Sequence, residues 1–203
     1  MDIKYNVSKI KGSKEEIVKD AVSVEEPLEM RLKYKKNGKI ETQNISITMR
    51  TPGNDEDLIR GFLFNERIIE NMDEIDSIQH IGDPVGDYNL HNVIEATINK
   101  TDNLDIGKLK RNFVTNSSCG VCGKTSLDSI EVLKNDKLDS HFPKIKEEII
   151  LKSPSLLMNE QSEFAKTGGI HASALIDEAG SVIATREDCL LYTSDAADES
   201  VGV

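Results

Sequence analysis

Leu28, Met30, Leu32 and Tyr34 alternate with Glu29, Arg31 and Lys33, which is the two-residue period of a strand with one face buried. Asn37-Gly38 follows, a pair that accepts positive φ at both positions and predicts a tight hairpin turn. Ile45, Ile47 and Met49 resume the alternation, so the return strand is expected to turn these three toward one face. Thr51-Pro52-Gly53-Asn54 breaks the pattern and Asp55-Glu56-Asp57 comes next. Acidic residues suit the positive end of a helix dipole, and Asn54 is a candidate N-cap. Leu58, Ile59, Phe62 and Leu63 then share one helical face, predicting a helix from about Asp55 to Arg67.

Val93 to Ile98 reads as a strand, and Asn112 to Thr115 as a short strand running into a cysteine loop. A helix is expected to begin near Lys124 or Thr125 and to carry Leu127, Ile130 and Leu133. Ser153-Pro154 looks like a helix start, with proline at the first helical position. Thr167-Gly168-Gly169 supplies its stop, because glycine permits a left-handed cap. Strands near Ala172 to Ile176 and Val182 to Thr185 flank the turn Asp177-Glu178-Ala179-Gly180. Helices and strands mix throughout, so the fold class is α/β or α+β.

Composition narrows the function. The 203-residue chain suits one large domain, or a domain with an appendage. No apolar run approaches the roughly 18 to 20 residues of a membrane helix, and the N-terminus lacks a basic start followed by an apolar core. A cytoplasmic protein with reduced thiols is the expectation. With 25 basic and 36 acidic side chains the formal charge is −11, which disfavours nucleic-acid phosphates as partners. The absence of Trp removes the best base-stacking side chain.

The strongest candidate chemistry is Ser117-Ser118-Cys119-Gly120-Val121-Cys122-Gly123-Lys124. A loop ending in a helix N-terminus aims N–H groups at the first thiol, and Lys124 adds positive charge; both favour thiolate. The two glycines let the loop turn tightly and keep the sulfurs accessible. Three other readings stay open on the residues alone. Half of a zinc site would need two more ligands, and only His171 offers a third. A dithiol redox site and a pair of inert buried cysteines are the others.

Two further segments attract notice. Lys166-Thr167-Gly168-Gly169-Ile170-His171 allows close backbone approach to a ligand, although a helix cap before a partly buried histidine explains it equally. Met49-Arg50-Thr51-Pro52-Gly53-Asn54-Asp55 is a strand end entering a helix. His80, His91 and His141 lie in polar surroundings and are expected to be solvated.

Taken together, these segments resemble the formate dehydrogenase accessory sulfurtransferases, the FdhD family. Arg50-Thr51-Pro52-Gly53-Asn54-Asp55-Glu56-Asp57-Leu58 with Gly61-Phe62-Leu63-Phe64 looks like its hallmark, and Ser118 to Gly123 matches its cysteine loop. Thr167 to Ala172 matches a third signature, and Arg186-Glu187-Asp188 the start of a fourth. The resemblance implies a cytidine-deaminase-like domain behind a smaller strand-rich N-terminal region. Residues 1–110 would form that region, residues 111–188 the deaminase-like part, and residues 189–203 a tail that departs from the family.

The implied activity is sulfur transfer: Cys119 and Cys122 carry a persulfide from a cysteine desulfurase to the molybdenum cofactor, in its bis-molybdopterin guanine dinucleotide form, for formate dehydrogenase. A homodimer is also implied. Arg50, Thr51, Gly53, Gly168, Gly169, His171 and Arg186 are the candidate cofactor-binding residues, Arg50 and Arg186 as phosphate contacts. The alternatives are a chaperone that only holds the cofactor, or a zinc-binding deaminase-like protein. A zinc deaminase needs H-x-E, whereas Ala172 and Ser173 follow His171, so the acid–base glutamate is missing and no zinc is expected.

Overall fold

A computed structural model describes residues 1–99, 113–114 and 144–190. Their architecture is mixed α+β, with three sheets and three α-helices among the described residues. Strands β1 (Asp2–Lys11) and β2 (Lys14–Ser23) form an N-terminal hairpin. Its alternation is diluted by lysines and glutamates on both faces, so the chain pattern carries little sign of it.

The central sheet has the order β5-β6-β3-β4-β7, with β3 at Glu26–Lys36, β4 at Lys39–Arg50, β5 at Ile75–His80, β6 at Val93–Ile98 and β7 at Phe113–Val114. Asn37 and Gly38 take φ values of 51° and 79°, as the expected hairpin turn requires. Strand β6 returns parallel to β3, and β7 lies parallel to β4. The sheet therefore draws on chain from beyond residue 110.

Helix α1 (Asp55–Asn65) covers one face of this sheet. Leu58, Ile59, Phe62 and Leu63 pack there against Leu28, Met30, Leu32, Ile45, Ile94 and Ala96, all buried. The helix stops at Asn65, two residues before the expected Arg67. Arg67 adopts φ 55°, and the turn sends Ile68 and Ile69 back into the core. Burying these two outweighs another half-turn of exposed helix.

Strand β4 departs from simple alternation. Met30 pairs with Ser46 but Arg31 with Asn44, leaving Ile45 as the extra residue of a β-bulge. Before the bulge Glu41, Gln43 and Ile45 share the face of Tyr34 and Leu32. After it Ser46, Thr48 and Arg50 take that face, and all three are buried. Ile47 and Met49 consequently point away from the core and are exposed, contrary to the expected single apolar face.

The C-terminal part holds α2 (Glu147–Glu160), α3 (Ser162–Thr167) and the hairpin of β8 (His171–Ile176) with β9 (Val182–Asp188). Helix α2 begins at Glu147 and carries Pro154 inside it, so Ser153-Pro154 is not a helix start. A proline nitrogen cannot serve the carbonyl four residues back. Here the Ser153 hydroxyl donates to the Ile150 carbonyl at 2.9 Å and supplies the missing bond. Gln161 interrupts the helix, and α3 ends as expected on Gly168, at φ 67°, whose N–H reaches the Phe164 carbonyl at 2.7 Å. The expected helix after Lys124 lies outside the described residues.

Candidate functional site

Four separate stretches of chain meet around the loop Thr51-Pro52-Gly53-Asn54. Its entrance is Arg50, at the bulged end of β4, and its exit is the first turn of α1. Gly53 takes φ 146°, a backbone setting that L side chains rarely adopt. Asn54 occupies the N-cap position, but its side chain makes no capping bond; its carbonyl accepts the Leu58 N–H at 3.0 Å.

The acidic residues that follow hold the loop by tertiary contacts as well as by the helix dipole. Asp55 is buried and grips Arg50 with both oxygens, Nε to Oδ1 at 3.0 Å and Nη2 to Oδ2 at 3.2 Å. The guanidinium also donates to the carbonyls of Glu26 and His91 and to Asn92 Oδ1, at 3.1–3.3 Å. Arg50 is thus engaged inside the fold, 1% exposed, and does not offer the phosphate contact expected of it. His80 is exposed, as expected, and places Nε2 2.9 Å from Asp55 Oδ2. His91 donates Nδ1–H to the Gly82 carbonyl at 3.1 Å and is exposed.

Strand β9 closes the other side. The Thr51 N–H donates to Asp188 Oδ1 at 3.1 Å, and the Asp188 side chain is buried. Arg186 donates Nε–H and Nη2–H to Asp57 Oδ2 at 2.9 and 2.7 Å, and Nη1–H to the Thr185 carbonyl at 2.8 Å. Glu187 receives the Glu163 and Phe164 amides at 2.9 and 2.8 Å, capping α3 from a neighbouring strand. Thr167 links α3 to the N-terminal hairpin, its hydroxyl accepting from Ser23 Oγ at 3.1 Å.

Between these elements lies a cavity of about 350 Å³. Thr51, Pro52, Gly53 and Asn54 line one side, Thr185, Arg186 and Glu187 another, with Glu160, Ser162, Glu163, Ile170 and Met1 completing it. Of the expected site residues, Thr51, Gly53 and Arg186 therefore share one cavity wall. Gly168, Gly169 and His171 stand beside it and are exposed, flanking the buried Ile170. His171 pairs in register with Asp188, the residue that holds Thr51. Cys119 and Cys122 lie outside the described residues. Asp57, Glu187 and Asp188 are not among the expected site residues, because their partners lie 129, 23–24 and 137 positions away and such pairings leave no local signature.

Cys189 follows Asp188, and its thiol is pushed well above the ordinary value, first by burial and then by the Asp188 carboxylate. Such a thiol is a poor nucleophile at neutral pH.

This arrangement, a strand-rich sheet with a loop clamped against a C-terminal hairpin, has counterparts. The FdhD/NarQ family model matches residues 24–189. The chain is 34% identical over 199 residues to the sulfur carrier protein FdhD of Saccharolobus solfataricus, covering 98% of this chain and 68% of the relative. It is 38% identical over 185 residues to that of Streptomyces avermitilis, covering 90% and 62%. A crystal structure described as that of a formate dehydrogenase accessory protein from Desulfotalea psychrophila superposes with a TM-score of 0.62 at 16% identity, over 98% of this chain and 66% of that one. The family match is decisive: this chain belongs to the FdhD/NarQ family. It spans roughly two thirds of the length of these relatives. No helix among the described residues is long and apolar enough to cross a membrane.

Proposed function

We propose that the protein is a sulfur carrier in the maturation of formate dehydrogenase. The observation that carries this is the family match over residues 24–189, which spans the Cys119/Cys122 pair, with relatives named as sulfur carriers. In this reading the Cys119 thiolate attacks the terminal sulfur of a persulfide on a cysteine desulfurase. The donor S–S bond breaks, the donor cysteine leaves as thiolate, and a persulfide forms on Cys119 with no net oxidation. Cys122 then assists release toward the molybdenum of the cofactor substrate. Its thiolate attacks Cys119 Sγ, the persulfide S–S bond breaks, and the outer sulfur leaves as hydrosulfide; the Cys119–Cys122 disulfide that forms is reduced by a cellular dithiol.

The cavity beside Thr51, Gly53 and Arg186 supports cofactor handling in part. At about 350 Å³ it lies at the small end of ligand sites, too small for a whole cofactor with two nucleotide arms. It fits one phosphate-bearing fragment. Among the described residues on its wall, Arg186 is the cationic side chain, beside Glu160, Glu163 and Glu187, and the Met1 ammonium pairs with Glu163 at 3.2 Å. Glu187 is occupied in capping α3, which leaves its charge spread over two amides.

The test is intact-mass analysis after incubation with desulfurase and cysteine. Wild-type chain is expected to gain one reducible sulfur, Cys119→Ala none, and Cys122→Ala to load yet fail to restore formate dehydrogenase in cells lacking the native protein. Loading of Cys119→Ala, with activity kept, would reverse the assignment. Cofactor delivery that survives loss of both cysteines would instead make the protein a holding chaperone.

A further inference from the structure

The cavity wall includes Arg186 but not the residue that aims it. A guanidinium has five N–H donors in a rigid plane. Arg186 spends its Nε–H and one Nη2–H on the single oxygen Oδ2 of Asp57, and one Nη1–H on the Thr185 carbonyl. One N–H on each Nη then has no acceptor among the described residues. On Nη2 the free N–H is the one at the end opposite the stem, since the other shares Asp57 Oδ2 with Nε; that end edge of a guanidinium is one that grips an oxyanion.

Asp57 sits in the first turn of α1, outside the cavity wall, and its side chain is only partly exposed. It is separated from Arg186 by 129 positions in sequence, so this bond also ties the loop before α1 to β9. We infer that Asp57 is a positioning residue: it occupies the side edge of Arg186 and turns the end edge into the cavity, to receive a phosphate group. The inference rests on the reading of this cavity as a phosphate-bearing fragment's site and adds the residue that makes Arg186 competent there.

Orientation and charge act in opposite directions at this position, which makes the idea testable. The Asp57 carboxylate aims Arg186 but its negative charge repels an incoming phosphate. Asp57→Asn keeps an oxygen that accepts both N–H groups and removes the repulsion. Asp57→Ala removes both. Calorimetric titration of the full chain with inorganic pyrophosphate would separate them, at a temperature where each variant is shown folded by circular dichroism. Asp57→Asn is expected to bind at least as tightly as wild type, and Asp57→Ala to bind about tenfold more weakly, the worth of one well-aligned charge-assisted bond. Arg186→Lys, lacking the fork, should also lose about tenfold.

Wild-type affinity in Asp57→Ala would overturn the positioning role while leaving the cavity reading intact. Equal weakening in the Asn and Ala variants would overturn it as well, since an acceptor without charge would then not suffice. A wild-type chain that binds no pyrophosphate, yet loads sulfur normally, would remove the cavity reading and this inference with it.

Discussion

Replacing Arg50 with methionine is the sharpest test of how the fold holds the loop at residues 51–54. The Arg50 and Asp55 side chains are 1% and 7% exposed and meet at 3.0 Å. Removing one partner of a buried pair costs about 3–5 kcal/mol, because the other charge stays behind without compensation. His80 remains 2.9 Å from Asp55 and softens the loss for Arg50→Met. That variant should fall near the low end, about 3 kcal/mol. For a chain of this size that is about 6–12 °C in Tm. Asp55→Ala leaves a buried guanidinium facing only Glu26, His91 and Asn92 acceptors, and should cost as much or more. The double variant should cost less than the sum, with a coupling of about 2 kcal/mol. Urea unfolding followed by far-ultraviolet circular dichroism suits a chain without Trp. Additive single effects, or an Arg50→Met cost below about 1 kcal/mol, would refute the buried-pair account.

Glu187→Gln should destabilise the chain by about 1 kcal/mol, since its carboxylate caps two amides at the positive end of α3; an unchanged urea midpoint would mean the helix end is satisfied otherwise. In the Cys119→Ala/Cys122→Ala background, Cys189 should react with a thiol reagent far more slowly when native than when unfolded, because burial and Asp188 both oppose its thiolate; equal rates would refute this. The same raised pKa implies stability that is complete below the ordinary thiol value and declines as pH rises above it, the folded state holding its proton longer than the unfolded one. A Cys189→Ser variant should flatten that alkaline decline.

Local chemistry made several elements legible in the sequence. The β3 alternation, the Asn37-Gly38 turn, the apolar face of α1 and the Gly168 cap each depend on residues within a few positions of one another. The cysteine pair and the order of the motif segments pointed to the family in the same local way. What stayed hidden was set by pairing between distant strands. The bulge at Ile45 exists because β4 shifts register against β3, and a one-residue shift exchanges the two faces of everything beyond it. That single change buries Arg50 and exposes Ile47 and Met49. It turned an expected phosphate ligand into the anchor of the loop. In the same way, the helix dipole accounts for acidic residues after Asn54, but not for Asp55 holding Arg50 or Asp57 holding Arg186. A sequence states which charges a turn carries; only tertiary packing, which brings β4 of the central sheet and β9 of the C-terminal hairpin to the same helix end, decides which partner each charge meets.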